Sequence, residues 1–280
     1  MPLFDQHLHS RHSMDSKAEP ADNVRRAIER GLAGLTFTEH FDTHPDDWPL
    51  CVYDEGAYAA TIRDLRAEFG SNIFIGKGIE VCYQPQNLEW IAEVVERGKF
   101  DLVLFSIHYY PTSALHVRES YDPRTLEFAT RSYLQHVLQA VEWVERLHRR
   151  RRQRLFHVLS HLDLVKRYTQ RFFHAYDVAP CSELIDRILT TCLEAGLVPE
   201  INTSSLRQGL AECMPGPATV RRYAELGGTA MSLGSDSHKA ADIGAGFDTA
   251  TEMLRDAGIR QIAVFEQREM RTVTFDAPAG

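Results

Sequence analysis

His7-Leu8-His9 ends a short apolar run at the start of the chain, and further His, Asp and Glu residues recur where later runs end or in the loops beside them: Asp15, His40, Glu80, His108, His161, Asp236 and His238. Alternate residues of a strand share a face, so His7 and His9 can grip one ion together. Neutral imidazoles and carboxylates are what a borderline divalent metal takes as ligands. Nine such residues are too many for one ion. The set therefore points to a multinuclear metal site, and hence to hydrolytic chemistry at phosphorus.

Such residues act together only if the fold gathers them. The pattern predicts strands over 3–5, 35–38, 73–75, 78–81, 102–107, 155–159, 198–201, 230–233 and 262–265. Helices are expected over 20–30, 55–69, 87–97, 124–150, 182–195, 218–226 and 247–257, with a loop over 42–52 covering the site. Apolar runs such as Leu102–Ile107 fit strands buried on both faces. About seven strand–helix units with a ligand-type residue after most strands predict an α/β barrel, whose chemistry collects at the C-terminal ends of its strands. A doubly wound open sheet is the competing architecture, but its crevice draws on only two or three strands. No linker divides the chain, so residues 1–280 are expected to form one domain.

The ordered motifs resemble the PHP (polymerase and histidinol phosphatase) superfamily, and within it the histidinol-phosphate phosphatase branch. The carrying residues are His7-Leu8-His9 with Asp15, Thr38-Glu39-His40, Gly78-Ile79-Glu80, Ser106-Ile107-His108-Tyr109, Ser160-His161-Leu162-Asp163, the run from Glu200 to Arg207, and Gly234-Ser235-Asp236-Ser237-His238. Ser205 stands where that branch usually has Gly. The resemblance implies a distorted (β/α)7 barrel and three divalent metals. The first would take His7, His9, Glu80 and Asp236. The second would take Glu80, His108 and His161, with Glu80 bridging, and the third Asp15, His40 and His238. Zn, Mn and Fe all suit a set without thiolate. The implied activity is hydrolysis of L-histidinol phosphate to L-histidinol and phosphate, in histidine biosynthesis, by attack of a metal-bridging hydroxide on phosphorus.

Arg207 is the candidate phosphate clamp, since a guanidinium fork matches two phosphate oxygens. His238 and Asp15 are candidates for protonating the leaving oxygen. His12, His44 and Tyr109 are candidate substrate contacts from the neighbouring loops. Glu39 reads as a residue behind the ligands or a helix cap, and Asp163 as a loop cap or a partner of His161.

With 39 acidic and 31 basic residues the formal net charge is −8, which argues against nucleic acid as the main partner. Arg149-Arg150-Arg151-Arg152 closes the longest expected helix, where cations suit the helix dipole. Five scattered cysteines read as reduced thiols. No leader or membrane-spanning run is visible, so a cytoplasmic protein with a small phosphate-ester substrate is expected. Oligomeric state is left open. The rival readings are a related phosphatase or phosphodiesterase acting on another small ester or nucleotide, a metal-dependent amidohydrolase, and an inert metal-binding module. The amidohydrolase reading wants a bridging strand-end lysine where this chain has Glu80.

Overall fold

The computed structural model describes residues 2–48, 50–51, 54–110, 113–122 and 125–275. Pro49 and Val52 of the expected 42–52 loop, and Arg124 at the expected helix start, lie outside them.

Strands follow one another around the molecule in chain order, β1 (Phe4–Leu8), β2 (Gly34–Phe41), β3 (Phe74–Cys82), β4 (Leu102–Ser106), β5 (Val158–Leu159), β6 (Val198–Asn202), β7 (Ala230–Gly234), β8 (Gln261–Glu266) and β9 (Glu269–Thr274). Every neighbouring pair from β1 to β8 is parallel; β8 and β9 are antiparallel. The helices are α1 (Pro20–Glu29), α2 (Glu55–Phe69), α3 (Leu88–Arg97), α4 (Leu126–Arg151), α5 (Val165–Phe173), α6 (Ser182–Ala195), α7 (Pro217–Glu225) and α8 (Phe247–Asp256). This is the expected α/β alternation of strand and helix.

The sheet curls until its ends meet. At the C-terminal rim, the His9 N–H donates to Ser237 O at 2.8 Å and the Asp236 N–H to His7 O at 2.7 Å, so the chain after β7 lies against the end of β1. Nearer the opposite end β8 enters the seam. The Gln6 amide bridges it, donating to Ala263 O at 2.6 Å and Ser232 Oγ at 2.9 Å, while the Phe265 N–H donates to Gln6 Oε1 at 3.1 Å. Seven strands thus frame the rim, and every residue of β1, β4, β6 and β7 is buried. The apolar sides of α3, α4 and α6 pack outside that ring in the main core, with Ile91, Val137, Val141, Val144, Ile188 and Leu189.

Three elements differ from the sequence reading, each for a physical reason. The two short strands expected over 73–81 are one strand, β3, running through Gly76-Lys77-Gly78. A Cβ at Gly76 would stand 2.3 Å from Thr36 Oγ1, so these glycines allow close approach to β2 rather than a break. Helix α5 was not expected, because its nine residues VKRYTQRFF offer only a short apolar side, Val165, Tyr168, Phe172 and Phe173, among polar and charged neighbours. Strand β9 was not expected either. Its two-residue turn places Gln267 at φ 50° and Arg268 at φ 68°, a left-handed pair that usually calls for Asn or Gly. Asp101 holds the turn from outside, accepting the Gln267 N–H at 2.9 Å through Oδ1 and the Arg268 N–H at 3.0 Å through its carbonyl.

Candidate metal centre

All nine expected ligands converge at the C-terminal rim. His7 and His9 project from the end of β1, His40 from β2 and Glu80 from β3. His108, His161, Asp236 and His238 follow β4, β5 and β7, and Asp15 comes from the loop after β1. Glu80 sits at the middle with its side chain 1% exposed. Its Oε2 lies 3.3 Å from His7 Nε2, 3.4 Å from His9 Nε2 and 3.0 Å from His40 Nδ1. Its Oε1 lies 3.2 Å from His108 Nε2 and 3.1 Å from His161 Nε2. One carboxylate therefore faces two sets of imidazoles, as a bridging ligand must. Asp236 Oδ1 is 3.8 Å from His7 Nε2 and 3.6 Å from His9 Nε2. Nearer solvent, Asp15 Oδ2 is 3.4 Å from His40 Nε2 and 3.0 Å from His238 Nε2.

The donor set fits divalent cations. His7 Nε2, His9 Nε2, His40 Nδ1 and Glu80 Oε2 are buried with no hydrogen-bond partner, yet they face one another. A buried polar atom without a partner is costly, and four converging on one point are unexplained unless something else pairs them. Triads including His7–His9–Asp236, His7–Glu80–His161, His40–Glu80–His108 and His9–His40–His238 each bring ligand atoms within 4.8 Å of one another.

The charges agree. Burial opposes ionisation of Glu80, but His7, His108 and His40 hold its carboxyl well below the usual range. Burial likewise opposes charge on His7, but Glu200, Glu80 and Asp236 push its pKa up. Burial, with His40 and His238, pulls His9 down to about 3. The nest thus holds ionised carboxylates that demand positive charge at its centre. Two of the expected ligand positions have left-handed backbone, His161 at φ 22° and Asp236 at φ 51°. Such conformations are strained for residues with a Cβ and cluster at functional sites.

A cavity of about 290 Å³ opens over this nest, lined by Asp15, His40, Glu80, His108, His161, Asp236 and His238 on one side. Residues 5–204 match the model of the PHP domain family. The chain belongs to the PHP domain family. Among PHP proteins it is similar to the probable histidinol-phosphatase of Deinococcus radiodurans, at 29% identity over 96% of this chain and 98% of the relative. The histidinol-phosphatase of Lactococcus lactis subsp. lactis is 29% identical over 95% of each chain. A solved structure of the histidinol phosphate phosphatase from that organism, complexed with zinc, L-histidinol and phosphate, superposes with a TM-score of 0.84. It is 28% identical and covers 96% of this chain and 98% of that one.

Behind this PHP centre stands a layer of carboxylates that orient the imidazoles. Glu200 Oε1 is 2.8 Å from His7 Nδ1, and its Oε2 accepts the His161 N–H at 2.9 Å. Asp42 Oδ2 is 2.9 Å from His108 Nδ1. Glu39 acts through a hydroxyl: Ser13 Oγ donates to Glu39 Oε2 at 2.5 Å and lies 3.2 Å from His9 Nδ1. Each fixes a ring so that its other nitrogen faces the nest. The sequence reading gave Glu39 a supporting place but no role to Glu200 or Asp42. Glu200 sits within β6 inside a quoted motif, which was the available signal.

Other expected site residues are placed differently. The Arg207 guanidinium donates to Ser235 O at 2.6 Å and lies 3.5 Å from Asp242, and Arg207 does not line the cavity. Its reach is spent on the turn before Asp236. Arg167, on the unexpected helix α5, does line the cavity. Its Nη2 lies 3.3 Å from Asp236 Oδ2 and donates to Ser204 Oγ at 2.5 Å. His12 is turned away, 3.0 Å from Thr61 Oγ1 and outside the cavity lining. His44 stacks on Tyr109 with ring centres 3.7 Å apart, and Tyr109 itself lines the cavity. Asp163 pairs with buried Lys166 at 2.8 Å instead of with His161.

Proposed function

We propose that this protein hydrolyses L-histidinol phosphate to L-histidinol and phosphate, a phosphomonoesterase step in histidine biosynthesis. One observation carries the reading: Glu80 faces two imidazole sets through separate oxygens, at the centre of a nest whose buried atoms lack partners. The similarity to the Lactococcus lactis enzyme complexed with zinc, L-histidinol and phosphate supports the substrate.

Three divalent ions, Zn, Mn or Fe, would divide the ligands. His7, His9, Glu80 and Asp236 hold the first, Glu80, His108 and His161 the second, and Asp15, His40 and His238 the third. Bound there, divalent ions supply Lewis acidity toward phosphoryl oxygens and acidify water. The protein's own groups do the rest. Arg167 replaces Arg207 as the phosphate contact, because its guanidinium lines the cavity beside Asp236 while Arg207 braces Ser235. Asp15 and His238, at the exposed edge of the nest, stand where a proton can pass to the departing alcohol oxygen. Residues 1–280 act as one catalytic domain in the cytoplasm, consistent with the absence, among the described residues, of any helix long and apolar enough to cross a membrane.

Phosphate release from L-histidinol phosphate, measured beside nucleoside monophosphates and an aryl phosphate, tests the reading. A kcat/KM for L-histidinol phosphate at least about 10²-fold above the others is expected, the size of a few oriented polar contacts. Parity across the panel would assign the centre to a different ester.

A further inference from the structure

The two oxygens of Glu80 keep different company. Oε2 has no hydrogen-bond partner, whereas Oε1 accepts the Ser106 hydroxyl at 2.6 Å. Ser106 Oγ is in turn hydrogen-bonded to Ser160 Oγ. We propose that Ser160 and Ser106 form a hydroxyl chain that positions the Glu80 carboxylate as a ligand, and that its loss loosens the ion on the His108–His161 side ahead of the others. The inference rests on the metal-centre reading and names what holds its bridging carboxylate in place.

Ser106 ends β4 and Ser160 follows β5, and neither is exposed beyond 1%. Register puts Leu104 opposite Glu80 and Val158 opposite Leu104, so Ser106 and Ser160, two residues on, share the face of those apolar side chains. Leu102, Leu104, Val158, Val198 and Ala263 pack together beneath them. A hydroxyl buried beside aliphatic side chains is costly unless bonded, so each serine needs its partner.

Proton counting gives the chain a direction. A serine has one hydroxyl proton, and a ligating carboxylate only accepts, so the Ser106 proton goes to Glu80 Oε1. Ser106 Oγ must then accept from Ser160. The competing acceptor for Ser160, Phe105 O, lies at 3.2 Å and already takes the Ser160 N–H at 3.1 Å. Hydroxyls donating in one direction polarise one another, which strengthens the last bond. That bond fixes the rotation of the carboxylate. The rest of Oε1 faces His108 Nε2 at 3.2 Å and His161 Nε2 at 3.1 Å, while bare Oε2 faces His7 and His9.

Zinc-loaded protein is dialysed against graded chelator, and the zinc kept per chain is measured. Ser106→Ala is expected to release one ion about 10–100-fold more readily, as for loss of a bond to a ligand, with the others held as in the unmodified chain. In His161→Ala, which already lacks a ligand to that ion, Ser106→Ala should add little. Ser160→Ala should loosen the same ion by no more than about tenfold, because Ser106 keeps its bond to Glu80. Ser106→Thr returns a hydroxyl and should recover most of the affinity. Packing alone predicts equal effects from the two alanines, since each removes one oxygen. Ser106→Cys, a weaker donor of similar size, carries the same expectation if Ser106→Ala does not fold. Unchanged zinc retention in the Ser106 variants, equal losses in the two alanine variants, or a threonine no better than alanine would overturn the hydroxyl chain alone. Fewer than two zinc ions in the unmodified protein would overturn the metal centre and this chain with it.

Discussion

The rim and the floor of the ring both bury histidines, and they use them in opposite ways. At the floor, His148 Nε2 accepts the N–H groups of Leu155 and Phe156 at 3.0 and 3.1 Å, and its Nδ1 lies 3.0 Å from Ala195 O. His157 Nδ1 accepts the Val103 N–H at 2.9 Å, leaving Nε2 with no hydrogen-bond partner beside the Phe265 ring. These rings serve as backbone acceptors and must stay neutral, since an imidazolium has no lone pair to offer. At the rim, the outward nitrogens of His7, His9 and His108 face Glu200, Ser13 and Asp42, while their inward nitrogens converge on Glu80. A single stray N–H at the floor is a local cost, whereas convergent unpaired atoms at the rim define a place for cations. Burial alone does not distinguish a ligand from a structural histidine. What the second nitrogen faces does.

Perturbing the rim should affect chemistry, and perturbing the floor should affect stability. Among the groups around the centre, a large effect is expected for Arg167→Ala, a loss of about 10²–10³-fold in kcat/KM for L-histidinol phosphate, as for removal of an oriented charged donor from a transition state. Arg207→Ala should cost no more than about tenfold, by loosening the Ser235 turn. Steady-state kinetics on both variants separates the two assignments, and the reverse ranking would restore Arg207 as the clamp. Next comes Glu200→Gln, which should weaken metal binding about 10–100-fold by releasing His7, measured by chelator competition. Unaltered metal affinity would remove Glu200 from the support of the centre.

The smallest effect belongs to the floor. Burial, with the positive charges of Arg268 and Arg154, lowers His157 to about 3 from its ordinary 6.5. The unfolded chain therefore binds a proton that the folded chain refuses between those values. Stability is full above pH 6.5 and falls as pH drops toward 3, by about 2 kcal/mol between pH 7 and pH 5. His157→Asn keeps an acceptor for Val103 and removes the titration. Denaturant unfolding of metal-free protein at the two pH values should show this loss for the unmodified chain and less of it for the variant. Equal acid sensitivity would place the titrating group elsewhere.

Much of the rim was legible because ligand chemistry leaves a dense signal. His7 and His9 at strand spacing, followed by ligand-type residues at successive strand ends, already specify a ring that brings them together. Arg167 was not legible, because it lies in no recognised motif and on a nine-residue helix whose apolar side is only Val165, Tyr168, Phe172 and Phe173. Arg207 lies in a clear motif, but a long side chain can reach a carbonyl as readily as a cavity, and here it reaches Ser235 O. Asp42 carries no local signature, and Glu200 lies in a motif that does not name its partner, since the role of each depends on which imidazole nitrogen the fold presents to it. Strand β9 was hidden by a turn whose left-handed residues are Gln267 and Arg268.

The central claim is that Glu80 links separate cations in a catalytic nest. Elemental analysis of the purified protein and of Glu80→Gln, each followed by phosphate release from L-histidinol phosphate, tests it most directly. The account predicts two to three divalent ions per chain in the unmodified protein, and loss of at least one ion with a fall of roughly 10³-fold in kcat in the variant. Fewer than two ions in an active unmodified enzyme, or a fully active Glu80→Gln, would contradict it.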